Sequence, residues 1–84
     1  MMLLNSNMVK DMGYIGDILA INNYDRTKNY KGLVNTDERL QWMFLQFGGV
    51  FAIQLLFCNG LNKIRFRINF GEAWSSIHWS EIST

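Results

Sequence analysis

The chain has 84 residues and a net charge of +1, with 49% apolar and 18% charged residues, the latter below the roughly 25% of an ordinary soluble domain. A domain this small removes only about 60% of its unfolded surface from water, so its core is thin and calls for a disulfide, a metal or a partner chain. One cysteine, Cys58, and one histidine, His78, exclude an intrachain disulfide and a Cys/His zinc site, and the near-neutral charge lacks the basic footprint of nucleic-acid binding, so self-association is what remains.

The chain reads as one domain over residues 1–84, with no Pro-rich linker, low-complexity tract or internal repeat. Its start, "MMLLNSNMVKDMG", lacks the basic opening, long apolar run and small-residue cleavage site of a secretory signal, and is taken as mature sequence. Residues 14–22, "YIGDILAIN", predict a first strand, and the polar "NYDRTKNYKG" after them predicts a surface loop. Residues 39–47 predict a strand apolar on both faces, with Met43, Leu45 and Phe47 alternating with Trp42, Phe44 and Gln46. Gly48-Gly49 supplies the positive φ of a tight hairpin turn. Residues 50–58 form the returning strand, with Phe51, Ile53, Leu55 and Phe57 opposite Val50, Ala52, Gln54, Leu56 and Cys58.

The run 40–58 is long enough for a membrane span. Its Gln41, Gln46 and Gln54 and its central glycine pair favour two strands and a turn, a helix being the competing assignment, and no membrane insertion is expected. Asn59-Gly60 turns the chain into "KIRFRINF", which has the strict two-residue period of a half-buried strand. Ile64, Phe66, Ile68 and Phe70 are expected to face the subunit's own core, with Arg65, Arg67 and Asn69 in water. "GEAWSS" then leads to a last strand over residues 77–82. The predicted fold is all-β, a small antiparallel meander or sandwich of about five strands. Its two middle strands are buried on both sides, and another chain supplies the second layer.

The segment "WMFLQFGGVFAIQLLFCNGLNKIRFRINFGEAWSSIHWSEI", residues 42–82, resembles the repeat of phage tail fibres and of the knob of pyocin tail fibres. Ile53-Gln54-Leu55 matches its apolar-Gln-apolar step and Asn62-Lys63 its turn. Ile64 to Ile68 match its alternating strand, and Trp74-Ser75 with Trp79 and Ile82 match its closing W-S-x-W-x-x-I. Ser76, Ile77 and His78 put two extra residues between the tryptophans, which shifts the register of the last strand. Leu4-Asn5 and Gly13-Tyr14 are similar to the repeat's opening, without its first Asp and at looser spacing.

The resemblance implies a β-structured, trimeric fibre tip in the virion, made in the host cytoplasm. It implies a non-enzymatic receptor-binding or tip-assembly module attaching a particle to the host cell surface. The partners it implies are further copies, a host cell-surface glycan or a longer tail fibre protein, with no cofactor. The alternative is a small phage-encoded inhibitor that binds and masks a host protein.

Three groups of residues are candidates for ligand binding. Trp74, with Trp79, offers aromatic surface for the apolar face of a hexose, and Ser75, Ser76, Glu72 and His78 offer hydroxyl partners; the competing reading is that both indoles close the sheet. Arg65 and Arg67 share one strand face and suit an acidic polysaccharide or phosphate, or equally a solvated face or an intersubunit ion pair. Tyr24, Asp25, Arg26 and Tyr30 form a loop of the composition recognition loops use, or a plain connection. A Ser/His/acid set can be assembled from Ser75, His78 and Glu81, but no spacing supports it, and no paired carboxylates or phosphate loop accompany it, so no catalytic residue is assigned. Cys58 reads as a small apolar residue at a strand end.

Overall fold

The computed structural model describes residues 8–36, 40–58 and 60–83. Six strands, β1 (Val9–Asp17), β2 (Asn29–Asn35), β3 (Gln41–Phe47), β4 (Ala52–Cys58), β5 (Lys63–Asn69) and β6 (Ser80–Ser83), form one sheet in the order of the chain. From β2 to β6 every pair is antiparallel. The all-β prediction holds, and the meander is its greater part.

The start of the chain departs from expectation. The first strand begins at Val9 and ends at Asp17, and the expected strand end instead turns into a 3-10 helix, Ile18–Asn23, capped by Asp17 Oδ1, which accepts from Leu19 N at 2.9 Å. The polar "NYDRTKNYKG" is loop only in its first part; Asn29 onward is β2. A crossover over residues 18–28 brings β2 back beside β1 in parallel, so the sheet is not wholly antiparallel. A hairpin needs two to five connecting residues, whereas a parallel return needs a longer crossover. The β1–β2 register slips around Gly13 and Gly16, whose φ angles of 62° and 93° suit bulges that other residues adopt at a cost. The last strand is Ser80–Ser83 rather than 77–82; residues Trp74–Ser76 form a short 3-10 turn and residues 77–79 an extended lead-in.

The crossover and the segment around Trp74–Trp79 lie on the same face of the sheet. Ile21 of the crossover joins Val34, Trp42, Phe44 and Leu56 in a cluster with no exposed surface, flanked by Ile15, Ile18, Tyr24, Tyr30, Leu40, Cys58 and Trp79. Each such fully buried side chain contributes about 1.5–3 kcal/mol relative to exposure.

This placement reverses the expected facing of β5. Arg67 and Asn69 are buried at 5% and 1% exposure, while Ile68 is 41% and Phe70 69% exposed. The arginine face lies inward because the covering segments sit on that side. The apolar face of β5 instead continues an apolar face across the sheet. Three cross-strand rows make it: Leu33, Met43, Phe57, Ile64 and Ile82; Leu45, Leu55 and Phe66; Phe47, Ile53 and Ile68. The expectation that β3 and β4 are apolar on both faces is met, but among the described residues only their Trp42/Phe44 and Ala52/Leu56 side is covered.

Candidate functional site

Arg67 sits at one end of a polar row laid across three strands on the covered face. Gln46 pairs in register with Gln54, and Gln54 with Arg67. Arg67 Nε donates to Gln54 Oε1 at 2.8 Å, and Gln54 Nε2 donates to Gln46 Oε1 at 2.9 Å and to the Ile21 carbonyl at 3.0 Å. Gln46 Nε2 in turn donates to the carbonyls of Asp25 and Lys28 at 2.8 and 2.9 Å. At the other end, Arg67 Nη1 donates to the carbonyls of Trp74 and Ile77, and Nη2 to Asn22 Oδ1 at 2.7 Å. The row fastens the crossover and the Trp74 turn to the sheet. Buried polar groups are costly unless paired, and here these donors find either a side-chain amide oxygen or a carbonyl of the irregular covering backbone.

Burial lowers the Arg67 pKa to about 10. Its guanidinium lies 4.3 Å from the Trp79 ring centroid and 5.0 Å from that of Trp74, where the ring faces favour a cation. Arg67 is therefore removed from the ligand-binding surface expected of it. Trp74, at 3% exposure, is removed with it: the indole lies in the interior and is no platform for a sugar. Trp74 Nε1 is a buried donor that finds no partner among the described residues. Beside it, Ser75, Ser76, Glu72 and His78 are exposed, Ser76 Oγ donates to the Ala73 carbonyl, and Glu72 Oε1 accepts from Phe70 N. Those bonds from backbone amides hold the Glu72 carboxyl below its ordinary range. Glu81, the acid of the conceivable catalytic set, is turned toward Arg65 and Lys63.

The loop candidates hold the chain together as well. Asp25 Oδ1 accepts from Thr27 Oγ1 at 2.6 Å and Thr27 N at 2.9 Å, which lowers its pKa. Arg26 Nη1 donates to the carbonyls of Gly49 and Val50, and Gly49 N donates back to the Arg26 carbonyl. The crossover is thus tied to the β3–β4 connection. Tyr24 and Tyr30 meet with ring centroids 4.6 Å apart, and Tyr24 stands edge-on to Phe44 at 5.7 Å. Burial raises the Tyr24 pKa. Tyr30 also lines a hollow of about 540 Å³ with Lys10, Thr27 and Lys28.

Arg65 stays accessible. Its guanidinium lies 4.5 Å from the Trp42 ring centroid, and Nε donates to Glu81 Oε1 at 2.9 Å. It borders a groove of about 670 Å³ lined also by Asp17, Ile18, Leu19, Asn35, Thr36 and the half-buried Trp79. An aromatic wall, a guanidinium and short polar side chains in one concavity can accept a sugar-sized polar ligand. Of the residues singled out in the sequence, the groove unites Arg65 with Trp79. Asp17, Asn35 and Thr36 were missed, because parallel pairing of β1 and β2 is what brings them together. Among the described residues, no cluster of three or more His, Cys, Asp or Glu side chains gathers, and no helix is long and apolar enough to cross a membrane. No protein-family description, curated protein or solved structure matches the chain.

Proposed function

We propose that the chain is a non-enzymatic binding module of the tail-fibre-tip kind, which helps attach a phage or phage-like particle to its host's surface. The observation that supports this reading is the division of the sheet into two faces. One is sealed by the chain's own crossover and Trp74 turn; the other presents three apolar rows that no segment among the described residues covers, as another chain would. A fibre subunit is in that position, since it is completed by its neighbours. The groove at Arg65 and Trp79 is the place where a surface glycan would fit, and the motif from Trp42 to Ile82 supplies the link to fibres.

The test is to probe purified particles for the chain and to ask whether an excess of the free protein blocks their adsorption to cells. Presence in particles with blocked adsorption is expected. Absence from particles, with capture of a defined host protein from lysate, would replace this reading with the masking inhibitor, for which the same open apolar face would serve.

A further inference from the structure

We infer that the hollow at the start of β1 and β2 is a binding site for a sugar phosphate, with Lys10 and Lys28 holding the phosphate and Tyr30 the sugar. This site goes beyond the attachment reading and does not depend on it. Of the two arginines that suited an acidic ligand by sequence, Arg67 is buried in the polar row, and Arg65 is engaged by Glu81 at 2.9 Å with Asp17 in the same groove. That groove is balanced in charge. The hollow is not: Lys10 and Lys28 both line it, no carboxylate among the described residues does, and neither lysine makes an ion pair among them. The acidic residues next to the two lysines in the chain are engaged elsewhere. Asp11 Oδ2 stands 3.8 Å from Lys31 Nζ and its Oδ1 accepts from Gly13 N, while Asp25 Oδ1 accepts from the Thr27 hydroxyl and amide. Those bonds, with a smaller contribution from the Lys28 charge, hold the Asp25 carboxyl low without an ion pair between the two.

The parallel pairing of β1 with β2 places Lys10 opposite Tyr30, and Lys28 immediately precedes β2. The backbone beneath both is fixed: Lys28 N donates to the Asp25 carbonyl at 3.1 Å, and the Lys28 carbonyl accepts from Gln46 Nε2 at 2.9 Å. The two side chains themselves are exposed, so their ammonium groups need little desolvation to meet a ligand. A phosphate monoester carries about −1.5 to −2 charges near neutral pH, which two lysines match and a single carboxylate does not. Lysine also binds phosphate as a point charge, without the planar fork that arginine offers a carboxylate. Tyr30 is half-buried and its ring is backed by Tyr24 at 4.6 Å between centroids, which gives the apolar face of a sugar a fixed surface, with Met8 and Val9 beside it. The volume of about 540 Å³ lies within the range of about 300–1,000 Å³ usual for small-ligand sites.

Amide chemical shifts of the full chain, titrated with glucose 6-phosphate as the probe and with glucose and inorganic phosphate for comparison, test the site. Glucose 6-phosphate should move the amides of residues 8–10 and 27–30, inorganic phosphate should move them only at higher concentration, and glucose should leave them in place. Because the two charges are exposed, the affinity should fall about tenfold between about 0.01 M and 1 M salt. Lys10→Gln and Lys28→Gln should each weaken binding about fivefold with an unchanged circular dichroism spectrum. Lys31→Gln, which removes the same charge outside the hollow, should leave the affinity as it was. Shifts confined to other residues, equal movement with glucose, equal affinity for inorganic phosphate, full binding in both lysine variants, or an equal loss in Lys31→Gln would overturn the assignment. Binding by a chain missing from purified particles would keep the site and remove the attachment reading. A chain carried on particles whose residues 8–10 and 27–30 do not respond would do the reverse.

Discussion

Arg67 Nε donates to Gln54 Oε1 at 2.8 Å across the β4–β5 pair, and through this bond the sheet holds both segments that cover it. Replacing Arg67 by leucine removes the donor to Gln54, Asn22 and the Trp74 and Ile77 carbonyls together. Groups left buried without partners cost about 1–3 kcal/mol each, partly recovered by water, so a loss of roughly 3 kcal/mol is expected. In a domain of this size that lowers the melting temperature by more than about 10 °C. Ile68→Ser, on the open face of the same strand, should cost under about 1 kcal/mol in the isolated chain. Thermal denaturation followed by circular dichroism, in dilute solution, ranks the two; the reverse order would mean that the arginine face is not the inner one.

The facing of β5 was the main misreading, and its cause is physical. Alternation in "KIRFRINF" does reveal a strand, but periodicity states only that two faces differ, not which one is covered. The apolar face would be inner in a chain that sealed itself with apolar side chains. Here the covering layer is irregular backbone, whose carbonyls at Ile21, Asp25, Lys28, Trp74 and Ile77 accept from side chains of the sheet, and long polar side chains suit it better. Gln46 and Gln54 were legible as polar residues inside apolar strands. Their register, which aligns them with Arg67, depends on hairpin geometry that residue types leave open. β2 was hidden for a similar reason: "NYKGLVN" is too polar to stand out, and it becomes a strand by pairing between β1 and β3.

Acid should weaken the fold through specific carboxylates. Arg65 beside Glu81, the Thr27 hydroxyl and amide on Asp25, and backbone amides on Glu72 hold all three groups below their ordinary pKa values. Because the unfolded chain then binds more protons than the folded one, the stabilisation is fully present above the unfolded values near 4 and is lost as pH falls through the folded ones. Melting temperature should be flat from pH 7 to 5 and decline below about pH 4.5. Glu81→Gln should make that decline shallower, and an equal slope in the variant would remove Glu81 from the explanation.

Gly48 was expected to serve the β3–β4 turn by a positive φ angle, but of the Gly48-Gly49 pair only Gly49 has one, at 155°, and what calls for glycine at position 48 is space. A Cβ built there would meet the Lys28 carbonyl oxygen, Lys28 N at 2.5 Å and the Arg26 carbonyl oxygen at 2.6 Å. These are backbone atoms, held by Arg26 on Gly49 and Val50 and by Gly48 N donating to Asn29 Oδ1 at 2.8 Å, so they cannot give way cheaply. Gly48→Ala should cost about 1–3 kcal/mol by overpacking. Limited proteolysis should then cleave first within residues 24–28, where the crossover is pushed off the sheet. Unchanged urea stability and cleavage would show that the connection and crossover are not in the close contact described.

The two buried indoles should respond differently to the same substitution. Trp42 Nε1 donates to Thr36 Oγ1 at 3.3 Å, and the ring supports Arg65 on one face and the apolar cluster on the other. Trp42→Phe leaves the buried Thr36 hydroxyl without this donor and opens space in the cluster, so a loss of about 2–3 kcal/mol is expected. Trp74 is also buried, but its Nε1 finds no partner among the described residues, and an unpaired buried donor costs a fold about 1–3 kcal/mol. Trp74→Phe removes that donor along with part of the ring. The two effects oppose each other, and the net change should lie within about 1 kcal/mol of zero. Urea unfolding of both variants gives the comparison directly. Equal losses would mean that Trp74 Nε1 is hydrogen-bonded in solution, with water or another chain as its acceptor.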